Sequence, residues 1–251
     1  MKPSKGQFII RFIRSLVFYL LFTVISLFFW PQFLLAKYLF KDATLIRTLA
    51  HVWVYCCLLL ARKILGISYE FKNLSLIQKA QKPFIIASKH QSMWEAFAFF
   101  HEFGDQAVGV SKKEIQYYPI LSLIAPAIKS IFIDRKAGLE ALQHLLRESK
   151  KRLQEGYHIV IFPEGTRTPV GQSREYKRGT YNLYKHLKVP VVTIALNSGL
   201  FWPAKTFLKT PGKIIAEVTG MIDPGLSQEN FQNKLQELIE IPSQKLSQNS
   251  S

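Results

Sequence analysis

The stretch Pro83–Phe99, PFIIASKHQSMWEAFAF, decides how the rest of the chain is read. Phe84, Ile85, Ile86 and Ala87 form a short apolar run behind a proline, the pattern of a strand covered on both faces. His90 leaves the tip of that strand, and Glu95 stands five positions further on at the start of an apolar helical stretch. On a regular helix five positions set two side chains about 140° apart. The pair can therefore meet only with His90 in the loop and Glu95 in the first helical turn, where Ser92 is the N-cap candidate. A neutral imidazole accepts a hydroxyl proton on one nitrogen when a carboxylate holds the other in the right tautomer. Alone, the spacing also fits a capped helix with a solvated glutamate.

Working outward, short apolar runs alternate with helical patterns from Ser68 onward, which predicts an α/β domain. The predicted strands are 68–71, 84–87, 107–110, 131–133, 159–162, 191–196 and 214–218. The clearest helix is 138–155: Leu139, Leu142, Leu146 and Leu153 hold one face apolar, and Gly156 supplies the stop. A second amphipathic helix is expected over 227–241. The Gln/Ser-rich tail, 242–251, reads as disordered.

Three strand ends carry polar groups. Ile159–Thr168, IVIFPEGTRT, is a buried run stopped by Pro163 and followed by Glu164, Gly165, Thr166 and Arg167. Gly165 permits a sharp turn, Arg167 can grip a phosphate bidentately, and Glu164 can accept from a substrate hydroxyl or brace the arginine. Ile131–Lys136 delivers Arg135 to an equivalent position, with a solvated arginine as the alternative. Lys112 and Lys113 follow the strand at 107–110 and suit an oxyanion or a phosphate, or simply form a surface pair. In open α/β sheets, ligands sit outside the carboxyl ends of the strands.

The chain of 251 residues carries a formal charge of +16, which calls for an anionic partner. Before Ser68, nine basic residues face one acid, Asp42. They bracket apolar runs at Ser15–Ala36 and Thr48–Ala61, which favours a lipid surface over nucleic acid. The first run has 22 uncharged residues, enough to span a bilayer core of about 30 Å, but Pro31 would kink or break it. The second, 14 residues with His51, is short for a return crossing. Two membrane-embedded helices entering from one face are therefore expected, with one or two true spans as the alternative. The expected organisation is an anchoring element at 1–66, a catalytic domain at 67–241 and the tail.

The adjacent Cys56 and Cys57 suggest no structural disulfide, and no metal-ligand set is visible. There is no Gly-x-Ser-x-Gly elbow and no His-Glu-x-x-His, so serine hydrolysis and zinc hydrolysis find no support. A basic lipid-binding or nucleic-acid-binding protein without catalysis would satisfy the charge, but it leaves the polar groups at successive strand ends unexplained.

Taken in order, His90-x4-Glu95, Lys112 with Ile131–Arg135, Phe162-Pro-Glu-Gly-Thr-Arg167 and Val189–Leu196 resemble the four blocks of the glycerolipid acyltransferases, in particular the lysophosphatidic acid acyltransferase branch. The blocks span nearly half the chain, and Tyr176-Lys177-Arg178-Gly179 resembles a further family stretch. The resemblance implies a mixed, mostly buried α/β sheet flanked by helices, behind an N-terminal two-helix membrane element. It implies His90 as general base, Glu95 as its orienting carboxylate, and Lys112, Arg135, Glu164, Gly165, Thr166 and Arg167 at the acceptor phosphate. The implied partners are an acyl-CoA or acyl carrier protein thioester, lysophosphatidate, with another lysophospholipid as the alternative acceptor, and a bilayer, at the cytoplasmic face, with no cofactor and no nucleic acid. Two departures stand out: Glu95 replaces the family's usual aspartate, and Pro119 is followed by Ile-Leu-Ser-Leu without the usual nearby glycine.

Overall fold

A computed structural model describes residues 4–80 and 83–250. The chain opens with helix α1 (Lys5–Leu34), extended by a π-helical turn (Leu35–Leu39), and α2 (Ala43–Leu60), extended by a second (Ala61–Leu65). Then follow β1 (Ile67–Lys72), α3 (Ser75–Lys79), β2 (Ile85–Ser88), α4 (Trp94–Phe103) and β3 (Ala107–Lys112). A 3₁₀ turn (Lys113–Tyr117) leads to α5 (Pro119–Ile124), β4 (Ile131–Ile133), α6 (Gly138–Gln154) and β5 (His158–Ile161). The chain closes with α7 (Arg178–Leu187), β6 (Val191–Leu196), α8 (Ser198–Phe201), β7 (Gly212–Ile222) and α9 (Gln228–Gln248).

The strands form one seven-stranded sheet in the order β1-β7-β6-β2-β5-β3-β4. Neighbours are parallel except β6 and β7, which run antiparallel. The carboxyl ends of β6, β2, β5, β3 and β4 therefore share one edge. Every residue of β2, β5 and β6 is buried, as expected of parallel strands covered on both faces. Alternation along β2 divides the core: Phe84 and Ile86 join the layer with α1, α2 and α4, whereas Ile85 and Ala87 join the layer with α6, α7 and α9. The expected mixed α/β sheet flanked by helices is thus observed, with strand ends displaced by one or two residues in most cases.

Two expectations need correction. The expected tail is helical: α9 continues through Pro242 to Gln248. Its inner face explains this, because Ile239, Ser243 and Ser247 are buried and Ser243 Oγ accepts from Leu196 N at 3.2 Å. Of the kink or break expected at Pro31, the break is absent: Pro31 lies within α1, which runs on to Leu34.

The N-terminal helices are fastened to the sheet layer. Phe18 meets Trp202 edge-on at 5.3 Å, and Phe22 reaches Trp53 and Phe97. Arg11 Nη1 donates to Thr210 Oγ1 near one end of α1, and Lys37 Nζ donates to the Ser122 carbonyl beyond the other. Arg47 Nη2, in α2, donates to the Ala127 carbonyl at 3.0 Å. Together with their π-helical turns the helices span 35 and 23 residues, long and apolar enough to cross a membrane by length and composition.

Candidate active site

The site is assembled along the shared carboxyl edge. β2 ends at Ser88, and Lys89 N still donates to the Ile194 carbonyl of β6, so His90 is the first residue free of the sheet. Its backbone is clamped twice: His90 N donates to Glu164 Oε1 at 3.2 Å, and its carbonyl accepts from Thr168 N at 2.7 Å. The imidazole stacks on Phe162, with centroids 4.0 Å apart. The loop that carries the histidine and the turn that follows β5 are thus one hydrogen-bonded unit.

Glu95 lies in the first turn of α4 and is wholly buried. Its Oε2 is 2.9 Å from His90 Nδ1 and also accepts from Ser92 N at 2.9 Å. Its Oε1 accepts from Gln91 N at 3.3 Å and from the Ser198 hydroxyl. An ionised carboxylate only accepts, so this pairing directs a proton to Nδ1 and leaves Nε2 as the basic nitrogen. The longer glutamate side chain reaches back from α4 onto its own preceding loop. Ser92 Oγ accepts from Trp94 N, but the helix begins at Trp94, so Ser92 stands one place ahead of the cap position.

Glu164 is buried, and burial pushes its carboxyl above the ordinary range while Lys89 beside it pulls the other way. Lys89 Nζ lies 3.1 Å from Glu164 Oε1. Gly165 turns with φ of +66°, a left-handed conformation suited to glycine, and its carbonyl accepts from Arg135 Nη1. Arg135 is thereby joined to the turn from β4, two strands away. Thr166 and Arg167 are exposed on the same turn. Lys112 is on the same sheet edge, half exposed and 3.5 Å from Glu114, without a bond to the His90 unit.

Several contributors were not singled out by sequence. Lys89, Ser198, Gln91 and Glu240 all bond within this unit. Gln91 Oε1 accepts from Gly199 N at 3.0 Å, and Glu240 grips Lys89 from α9. The one local signal was Lys89 itself, a lysine two places beyond the apolar run Phe84–Ala87.

Comparison with known proteins places the chain in a family. A family model described as Acyltransferase matches residues 68–197, just over half of the chain. The 1-acyl-sn-glycerol-3-phosphate acyltransferase of Pseudomonas aeruginosa is 37% identical over 207 residues, covering 82% of this chain and 79% of that protein. The mouse 1-acyl-sn-glycerol-3-phosphate acyltransferase alpha is 28% identical over 56% of this chain and 49% of its own. The crystal structure of the 1-acyl-sn-glycerophosphate acyltransferase PlsC from Thermotoga maritima superimposes with a TM-score of 0.72 at 21% identity, covering 94% of this chain and 97% of that one, a likeness of fold. With its fold, its ordered blocks and a relative of this identity along most of its length, the chain belongs to the acyltransferase family.

Proposed function

We propose that the protein transfers a fatty acyl group from a thioester, acyl-CoA or acyl carrier protein, to the free hydroxyl of lysophosphatidate, giving phosphatidate. The observation that carries this reading is the His90–Glu95 pair set against the Glu164–Arg167 turn on one sheet edge. His90 Nε2 removes the acceptor's hydroxyl proton as the oxygen bonds to the thioester carbonyl carbon. The carbon–sulfur bond of the resulting tetrahedral species then breaks, and the thiolate takes the proton back from the imidazolium. No acyl-enzyme is formed. Base catalysis of this kind is typically worth about 10² to 10⁴-fold. Arg135 and Arg167 are assigned to the acceptor's phosphate, where charge-assisted hydrogen bonds fix the hydroxyl near His90. Gly165, Thr166 and the Glu164 carboxylate shape that turn, and Lys112 lies within the same edge as a further cation.

Membrane attachment is assigned to residues 1–66, on one leaflet at the cytoplasmic face, where acyl thioesters are made. A crossing helix would carry one of its ends away from the catalytic domain. Here both ends of the α1 segment are bonded to that domain, through Arg11 to Thr210 and Lys37 to Ser122. That placement supports helices lying along a single surface.

The test is acyl transfer in mixed micelles from each thioester to lysophosphatidate, comparing wild type with His90→Ala and Arg167→Ala. Phosphatidate formed by wild type, lost in His90→Ala and formed with a raised acceptor KM in Arg167→Ala is expected. Full activity in His90→Ala would remove the assigned base. Transfer to a different lysophospholipid alone would remove the assigned acceptor.

A further inference from the structure

Lys89 is 1% exposed, an unusual position for an ammonium group, and it precedes His90 directly. Its Nζ is 2.7 and 2.9 Å from the two carboxylate oxygens of Glu240 on α9, and 3.1 Å from Glu164 Oε1. Two of the three N–H donors of the ammonium go to Glu240, and Glu164 Oε1 completes the set as an ion pair. Tyr176 OH donates to Glu240 Oε1 at 2.8 Å, closing the set on the far side. Glu164 Oε1 also takes the backbone N–H of His90, while its Oε2 is buried without a partner among the described residues. One buried lysine is therefore shared by two carboxyl groups, and with both ionised the set has one negative charge in excess.

We propose that Glu240, acting through Lys89 and Glu164, is a positioning residue that fixes the His90 loop and supplies the excess negative charge favouring the imidazolium formed when His90 takes the acceptor's proton. The inference rests on His90 being the base. The charged and titratable groups around His90 are Glu95 on α4, Glu164 and Arg167 on the turn after β5, Arg135 on the turn after β4, Lys89 on its own loop, and Glu240 with Tyr176 behind it. Glu95 and the two arginines carry the same charge in every variant below. Burial raises the Glu164 carboxyl and Lys89 offsets part of that rise, and the balance within the Lys89–Glu164–Glu240 set can be changed from α9 without touching the reacting groups.

The experiment is the pH dependence of kcat/KM for full-length protein in micelles, read at its acid limb, together with Tm. Glu240→Gln removes one negative charge at nearly constant shape, so the limb should move to lower pH by about half a unit or more, at an effective dielectric of about 20. Glu240→Asp keeps the charge while shortening the side chain by one methylene, and its limb should stay at the wild-type position although the brace is loosened. Tyr176→Phe keeps the charge and should leave the limb in place. A merely structural role predicts no difference between the limbs of Glu240→Gln and Glu240→Asp. An unmoved limb in Glu240→Gln with wild-type Tm would overturn the inference. If Glu240→Gln does not fold, a Glu240→Asp variant that folds with a displaced limb overturns it equally. A wild-type profile without an acid limb would instead overturn the assignment of His90, and this inference with it.

Discussion

Glu95 shows how much can hang on one buried side chain. Its four contacts orient His90, satisfy two N–H groups of the preceding loop and bind the Ser198 hydroxyl. Glu95→Gln keeps the shape but puts an amide where acceptors are needed, so kcat should fall about 10²-fold or more with the acceptor KM little changed. Ser198→Ala removes a hydrogen bond to a charged group, about 1.5–3 kcal/mol, and kcat should fall roughly 10-fold or more. Steady-state kinetics of both variants checks this, and an unchanged kcat in Glu95→Gln would separate Glu95 from catalysis. His90 and Glu95 were legible because they are five residues apart and belong to one strand–loop–helix unit. Ser198 and Glu240 were not, since their bonds to that unit span 103 and 151 residues and exist only after the sheet has formed.

Lys209 makes a second prediction at this scale. It is 3% exposed, lies over Tyr19 and Trp202, and donates to the Thr206 carbonyl. Burial, and then the charge of Arg167, push its ammonium down to about 8. A base depressed in the folded state penalises folding fully below that value. The penalty fades as pH rises from about 8 toward the ordinary lysine value of about 10.4. Lys209→Met should therefore stabilise the protein at pH 7, by up to about 2–3 kcal/mol, with the gain shrinking across that window. Thermal unfolding in detergent at pH 7 and pH 10 tests it, and a gain that does not shrink would show that the lysine's charge is not the cause.

At the scale of elements, the strands were readable because β2, β5 and β6 are mostly apolar, with one polar residue each, Ser88, His158 and Thr193, a pattern that two-sided burial explains. The pairing was not readable: nothing local marks β7 as antiparallel to β6, and β1 joins the sheet only through β7. α9 is the clearest case of tertiary context overriding local preference. Pro242 removes a helical hydrogen bond, and that cost is offset by the buried face on both sides of it, from Leu235 and Ile239 to Ser243 and Ser247. Truncation after Ile241 removes the bond from Leu196 N to Ser243 and those from Asn197 to Leu246 and Ser250. The truncated protein should unfold several degrees lower and lose activity, because Glu240 would then sit at a frayed end. Unchanged Tm and activity would mark the last turns as dispensable.

For the whole molecule, charge and apolar surface act together. The net charge of +16 suits an anionic surface, and α1 exposes Phe8, Phe12, Leu16, Leu20, Leu27 and Phe28. An α1 of 30 residues is about 45 Å long, more than a bilayer core. Length alone would permit crossing, and the bonds of Lys37 and Arg47 to the α5 region are what argue for helices embedded from one side. In that arrangement the turn between α1 and α2, with Lys41 exposed, stays on the same side as the catalytic domain. Protein bound from outside to sealed, preformed liposomes should therefore be cut by external trypsin both after Lys41 and within the catalytic domain. Cleavage of the domain with Lys41 protected, and cut only once the liposomes are opened by detergent, would replace the one-sided anchor with a spanning hairpin. It would also mean that the contacts of Lys37 and Arg47 with the domain are broken in the membrane.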